Sequence, residues 1–169
     1  MSLHNFIVIL IWLITVIVIL FIFVIAFGAP FLPTLKGQIE PALSILDLKP
    51  GQVMLELGSG DGRMLVAAAK RGINSVGYEL NPILYLYSIF KTRKYRSQIK
   101  IVWGNYWHKN WPPADGIFVF LLDSYMAKLN KKIIQNYDNP IKLVSFAFKI
   151  PERKIDNNVN GLYLYKYNF

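Results

Sequence analysis

The residues best suited to chemistry lie in one run, Val53-Met54-Leu55-Glu56-Leu57-Gly58-Ser59-Gly60-Asp61-Gly62-Arg63. An apolar segment carries a carboxylate and then opens into Gly58, Gly60 and Gly62, with Ser59 and Asp61 between them. Glycine holds φ > 0 without penalty and leaves room for backbone to lie against a ligand. Amides at the start of the helix that follows can donate to a ligand carboxylate or another acceptor. Glu56 sits between Leu55 and Leu57, where a lone carboxylate is costly, so it needs a partner; a ligand ammonium group would serve. A second acid, Glu79, closes another short apolar segment, where it can accept both hydroxyls of a ribose. Such a set suits a nucleoside-bearing cofactor such as S-adenosylmethionine. It departs from the Gly-x-Gly-x-x-Gly dinucleotide pattern, and Arg63-Met64 stands where a phosphate loop carries Lys and Ser or Thr. A glycine turn with solvated acids is the plain structural alternative.

The elements that must position these residues can be read along the chain. A helix is expected over residues 38–48, then a strand over residues 53–57 and a helix from Gly62 or Arg63 to Arg71, stopped by Gly72. A second strand spans residues 75–78. Asn81-Pro82 supplies an N-cap and a first-turn proline for a helix through Thr92. Further strands are expected over residues 99–103, 116–122, 143–148 and 162–167. Between the second and third of these, Ser124 could cap a helix on which Met126, Leu129, Ile133, Ile134 and Tyr137 recur at helical spacing. Alternating strands and helices argue a Rossmann-like α/β fold with a mostly parallel sheet of six or seven strands. The stretch between the last two strands is too short for a crossover helix, so the sheet could be truncated at its C-terminal side.

Ahead of this domain, residues 6–27 are apolar except for Thr15. A helix of that length spans roughly 30 Å of hydrocarbon, so the reading is one N-terminal transmembrane helix rather than a buried core helix or a cleaved signal peptide. The expected organisation is a tail and anchor over residues 1–28, a connector over 29–37 and the catalytic domain over 38–169. The chain carries 19 Lys and Arg against 10 acids, a net charge of +9. Every one of these cations lies after residue 35. Lys36 near the membrane end therefore predicts a single-pass protein with its catalytic domain in the cytoplasm. The absence of cysteine excludes disulfides and thiolate chemistry, and two histidines cannot build a His-rich zinc site. No metal is expected.

The segment from Glu56 to Gly62, with Glu79 following, resembles motif I and the post-I acid of class I S-adenosylmethionine-dependent methyltransferases. More narrowly, the chain is similar to a small family of membrane-anchored protein-lysine methyltransferases, which includes the mitochondrial enzyme that modifies the c-ring protein of ATP synthase, and prokaryotic relatives. Ala29-Pro30-Phe31-Leu32-Pro33-Thr34, Gly77-Tyr78-Glu79-Leu80-Asn81-Pro82 and Leu162-Tyr163-Leu164-Tyr165-Lys166-Tyr167 carry the closer match. The resemblance implies S-adenosylmethionine held by Glu56, Gly58, Ser59, Gly60, Asp61, Gly62, Glu79 and Leu80. It adds Thr34 as part of a covering segment. It also adds Asn105 at the position of the usual cofactor-side Asp. The family's proline-bearing loop after the fourth strand is replaced here by Leu122-Asp123-Ser124-Tyr125-Met126.

The implied reaction is methyl transfer to a lysine amine. An acid near the acceptor can align it, and an aromatic wall can stabilise the cationic product. Asp123 is the polar candidate, with Tyr106 and Tyr125 as catalytic-side aromatics and Trp107 and Phe31 as further wall residues. Asp123 could equally belong to a helix cap around Ser124. The expected partners are a membrane-associated protein substrate and the bilayer through residues 6–27. The basic cluster Lys91, Arg93, Lys94, Arg96 and Lys100 reads as a solvated surface or a contact for lipid or an acidic protein. No nucleic acid is expected. Methylation of a small molecule, membrane lipid or quinone, and a non-catalytic scaffold on the same fold, are the competing functions.

Overall fold

The computed structural model describes residues 2–27 and 36–169. The chain divides into two units, Met1–Pro30 and Phe31–Phe169. In the first, the apolar run forms the helix α1 (Leu3–Phe27). Among the described residues, no helix is long and apolar enough to cross a membrane. The transmembrane anchor, the bilayer as a partner through residues 6–27 and the single-pass membrane placement are corrected on this ground. The argument for a membrane-associated substrate rested on the anchor and falls with it. Thr34, Phe31 and Pro33 lie outside the described residues.

In the second unit, α2 (Lys36–Leu46) precedes β1 (Val53–Leu57), and α3 (Arg63–Lys70) follows it. Then come β2 (Asn74–Glu79), α4 (Pro82–Thr92), β3 (Ile99–Trp103) and β4 (Gly116–Val119). The chain ends with α5 (Met126–Asn136), β5 (Ile141–Phe146), β6 (Asn157–Val159) and β7 (Leu162–Tyr167). The sheet has seven strands in the order β3-β2-β1-β4-β5-β7-β6. The first five pair in parallel, and β7 runs antiparallel to both β5 and β6. The closing hairpin is therefore complete, where the sequence left open a truncated sheet. Its turn is Asn160-Gly161, both with positive φ (51° and 79°), a two-residue connection that Asn-Gly favours. That dipeptide was the available signal. It was easy to pass over because β6 is exposed throughout and has no apolar face to announce it.

Strand alternation sends successive side chains to opposite layers. Met54, Phe118, Val144 and Leu164 pack with α2 and α3 on one face. Leu55, Ile117, Leu143 and Tyr165 pack with α5 on the other. Because both faces are covered, β4 reads as an unbroken apolar run, Gly116 to Val119, buried along its whole length. The boundaries of β1, α4 and β3 are those read from sequence. The Ser124 cap does not form. Asp123–Tyr125 is instead a single 3-10 turn leading into α5, with no side chain capping either segment. The chain leaves β1 toward β2 and β3, then crosses to β4 on the other side. The C-terminal ends of β1 and β4 thus flank the switch point where open α/β sheets bind ligands.

Candidate active site

β1 carries Glu56 to this edge, in register with Gly77 of β2 and Phe118 of β4. Glu56 points to the same face as Met54, two residues before it. The residue is 5% exposed, and its Oε2 has no hydrogen-bond partner among the described residues. Burial, then the nearby carboxylates of Asp61 and Glu79, push its pKa well above the usual range, with Arg63 opposing. Ser59 Oγ is also buried and unpartnered among the described residues.

The loop after β1 is held by its own amides. Those of Gly58 and Ser59 donate to the Tyr78 carbonyl at 3.0 and 2.8 Å, and that of Gly62 donates to Ser59 O at 2.8 Å. The Gly60 amide donates to Glu79 Oε2 at 2.7 Å. Gly58 has φ +89°, and a Cβ built there would meet nothing within 4 Å. The space beside it is open. Gly62, by contrast, lies flat on α4, where a Cβ would come within 3.1 Å of Thr92 Cγ2.

Glu79 is buried at the end of β2. Its Oε1 accepts from the Asn81 amide at 2.8 Å. Burial raises its pKa, and the amides of Asn81, Gly60 and Leu80 oppose that rise. Each oxygen retains acceptor capacity for a further donor. Leu80 contributes its carbonyl to the Trp103 indole N–H at 3.1 Å. Asn81 caps α4 by accepting from Ile83 and Leu84.

After β3, Asn105 Oδ1 accepts from the Trp107 amide at 2.9 Å and caps the 3-10 turn Tyr106–His108. Tyr106 has its phenol pKa raised by burial and then by the proximity of Tyr125 and Glu79. Ring centroids of Tyr106 and Trp107 are 4.9 Å apart, and those of Trp107 and Tyr125 are 5.9 Å apart. These aromatics join the loop after β3 to the turn after β4. The Lys128 ammonium lies 4.5 Å from the Trp107 ring centre, so this wall already receives a cation. Asp123 is exposed at the start of the 3-10 turn that contains Tyr125.

The structure thus gathers Glu56, Ser59, Glu79 and the glycine loop at one place. Tyr106 links that group to Trp107 and Tyr125, and Asp123 stands outside it in solvent. Asp61 is gripped by Arg63, whose Nε and Nη2 reach it at 2.8 and 3.1 Å, and by Lys91 Nζ at 2.6 Å. Sequence reasoning placed Lys91 in the basic surface cluster. Nothing local marks its pairing, because Asp61 is 30 residues away.

A model of the ANTKMT methyltransferase domain matches residues 56–157. The lysine N-methyltransferase of the ATP synthase c-ring protein from Homo sapiens is 31% identical over 124 residues, covering 72% of this chain and 53% of that protein. A protein-lysine N-methyltransferase of Saccharolobus islandicus is 28% identical over 148 residues, covering 80% of this chain and 92% of the other. Among solved structures, an RNA methyltransferase from Salinibacter ruber, in complex with S-adenosyl-L-homocysteine, superposes with a TM-score of 0.73 at 24% identity, covering 80% of this chain and 92% of that one. That likeness speaks to the fold. The chain spans about half the length of the mammalian relatives it matches. With the domain match covering more than half of the sequence and lying across the strands, glycine loop and acids described above, the chain belongs to the ANTKMT methyltransferase domain family.

Proposed function

We propose that the protein is an S-adenosylmethionine-dependent methyltransferase acting on lysine side chains of a protein. The observation that carries this reading is the pair of buried oxygens, Glu56 Oε2 and Ser59 Oγ, unpartnered among the described residues, beside a glycine turn with open space at Gly58. A buried carboxylate without a partner is costly, and a cationic amino-acid group would relieve that cost. Glu79, already oriented by the Gly60 and Asn81 amides, has acceptor capacity left for ribose hydroxyls. The names of the relatives, lysine N-methyltransferases in both the human and the archaeal case, supply the acceptor class.

The cofactor, when bound, supplies a sulfonium methyl group for in-line displacement by an amine. This chain's residues would bind and orient. Glu56 and Ser59 would hold the amino-acid end, and Glu79 the ribose. Asn105 and Leu80 would border the base. Tyr106, Trp107 and Tyr125 would form a wall for the acceptor ammonium, the role Trp107 already plays for Lys128. Asp123 would align the incoming amine from the solvent side. Asp123→Asn should slow turnover by about ten-fold or more, within the range of a positioned acid–base group, with cofactor affinity unchanged. Equal turnover in the variant would remove that assignment.

The test of the function is transfer from labelled S-adenosylmethionine to a protein extract, followed by peptide mapping. Label on lysine Nζ is expected. Label confined to lipid or small molecules would overturn the acceptor class. Absence of calorimetric binding of both S-adenosylmethionine and its demethylated product by folded protein would overturn the cofactor.

A further inference from the structure

We infer that Lys91 is a positioning residue for the cofactor loop, holding Asp61 and through it the turn between Gly60 and Gly62. The inference rests on the reading of that loop as the S-adenosylmethionine site. Two cations grip Asp61, but they are not equivalent. Arg63 is two residues away, and it binds Asp61 through Nε, Nη2 and its own backbone amide. It ties the loop to the helix that grows out of the loop. Lys91 comes from the last turn of α4, so its 2.6 Å contact ties the loop to a different element. Both groups are partly shielded, with side-chain exposures of 14% for Asp61 and 32% for Lys91. In such surroundings an ion pair holds better than on open surface.

The loop is fixed from its other side by Glu79, which takes the Gly60 amide. Gly60 and Asp61 are adjacent, so the backbone between them is stretched between an anchor on β2 and an anchor on α4. Gly62 completes the seat on α4, against Ser88 and Thr92. Without Lys91, the loop loses the ion pair that joins Asp61 to α4. Burial works to raise the Asp61 pKa, yet Arg63 and Lys91 hold it below the usual carboxylate range, as expected of a carboxylate kept ionised in this clamp.

The direction of the effect separates positioning from simple charge. At neutral pH, S-adenosylmethionine carries a net positive charge, so removing a nearby cation should tighten its binding through space. Loss of the clamp should weaken it. Titration calorimetry on the full chain, with both S-adenosylmethionine and S-adenosylhomocysteine, is the experiment. Lys91→Met should weaken both ligands by a similar factor, about ten-fold, the scale of a lost charge-assisted contact. Lys91→Arg should restore most of the affinity. At saturating cofactor the variant's kcat should match the wild type, with the loss confined to the cofactor KM. In an Asp61→Asn background, Lys91→Met should add little, because the two residues act as one unit.

Unchanged or tighter binding of S-adenosylmethionine by Lys91→Met, with wild-type binding intact, would overturn the inference and leave the cofactor reading in place. So would a full additive loss in the Asp61→Asn background. Failure of the wild type to bind either ligand would overturn the cofactor reading itself. Should Lys91→Met not fold, Lys91→Gln replaces it in the same comparison, and the same outcomes decide.

Discussion

Glu56 poses the sharpest question at the scale of single residues. It is buried, its Oε2 is unpartnered among the described residues and two other carboxylates lie nearby. Its pKa in the folded chain is raised, so folding favours its protonated form. The stabilising contribution of the bound proton is present below the ordinary value of 4.5 and is lost as pH rises through the raised value. Glu56→Gln should therefore be more stable than wild type at neutral and alkaline pH. The two should converge in acid, and denaturant melts across pH would reveal it. The same variant should bind S-adenosylmethionine about ten- to hundred-fold more weakly, the effect of losing a charged hydrogen-bonding partner. At pH values between its ligand-free and ligand-bound titrations, Glu56 should also release a proton on wild-type binding as it ionises against the incoming cation. Calorimetry in buffers of different ionisation heat would detect it, and a buffer-independent enthalpy would refute it. Glu56 and Glu79 were legible in the sequence because a carboxylate inside an apolar strand is anomalous wherever the chain goes. Lys91 was not, because a lysine near other lysines looks ordinary until α4 brings it to Asp61.

At the scale of elements, local signals worked where they were sufficient by themselves. Asn81-Pro82 specifies the start of α4 through a cap and a fixed φ, and the helix begins there. Val53–Leu57 is bounded by turns on both sides, and β1 keeps those limits. Ser124 failed as a cap because the chain leaves β4 in a 3-10 turn that brings Tyr125 against Trp107. A tertiary contact thus replaced a local preference. β6 was missed because a strand with exposed asparagines pairs through its backbone to β7 and shows no pattern of its own. Gly77 illustrates a requirement that no periodicity announces. A Cβ there would lie 2.7 Å from Leu65 Cδ1 and Ser59 Cβ, so the glycine lets α3 and the loop seat on β2. Gly77→Ala should cost about 1–3 kcal/mol, as overpacking does. It should weaken cofactor binding as well, because Ser59 would have to move. A melting temperature equal to wild type would show that the seat is looser than the geometry indicates.

For the molecule as a whole, the Rossmann-like sheet was legible from the alternation of strands and helices, including its parallel centre. The reading of residues 6–27 as a bilayer span was not upheld among the described residues; composition alone reported apolarity and helix. The strand order has one further consequence, and it concerns time. Each central strand is held by two neighbours, while β3 and β6 stand at the rims. Amide exchange proceeds through partial openings that begin where the fewest bonds must break. In deuterated solvent, β6 should label first and β3 next. β1 and β4, interior to the sheet and with fully buried central residues, should label last. Exchange followed by mass spectrometry would test this, and β1 labelling as early as β6 would refute it. The glycine loop hangs from the slowest of these strands. The rims of the sheet can therefore open and close many times while Glu56 stays where a ligand would find it.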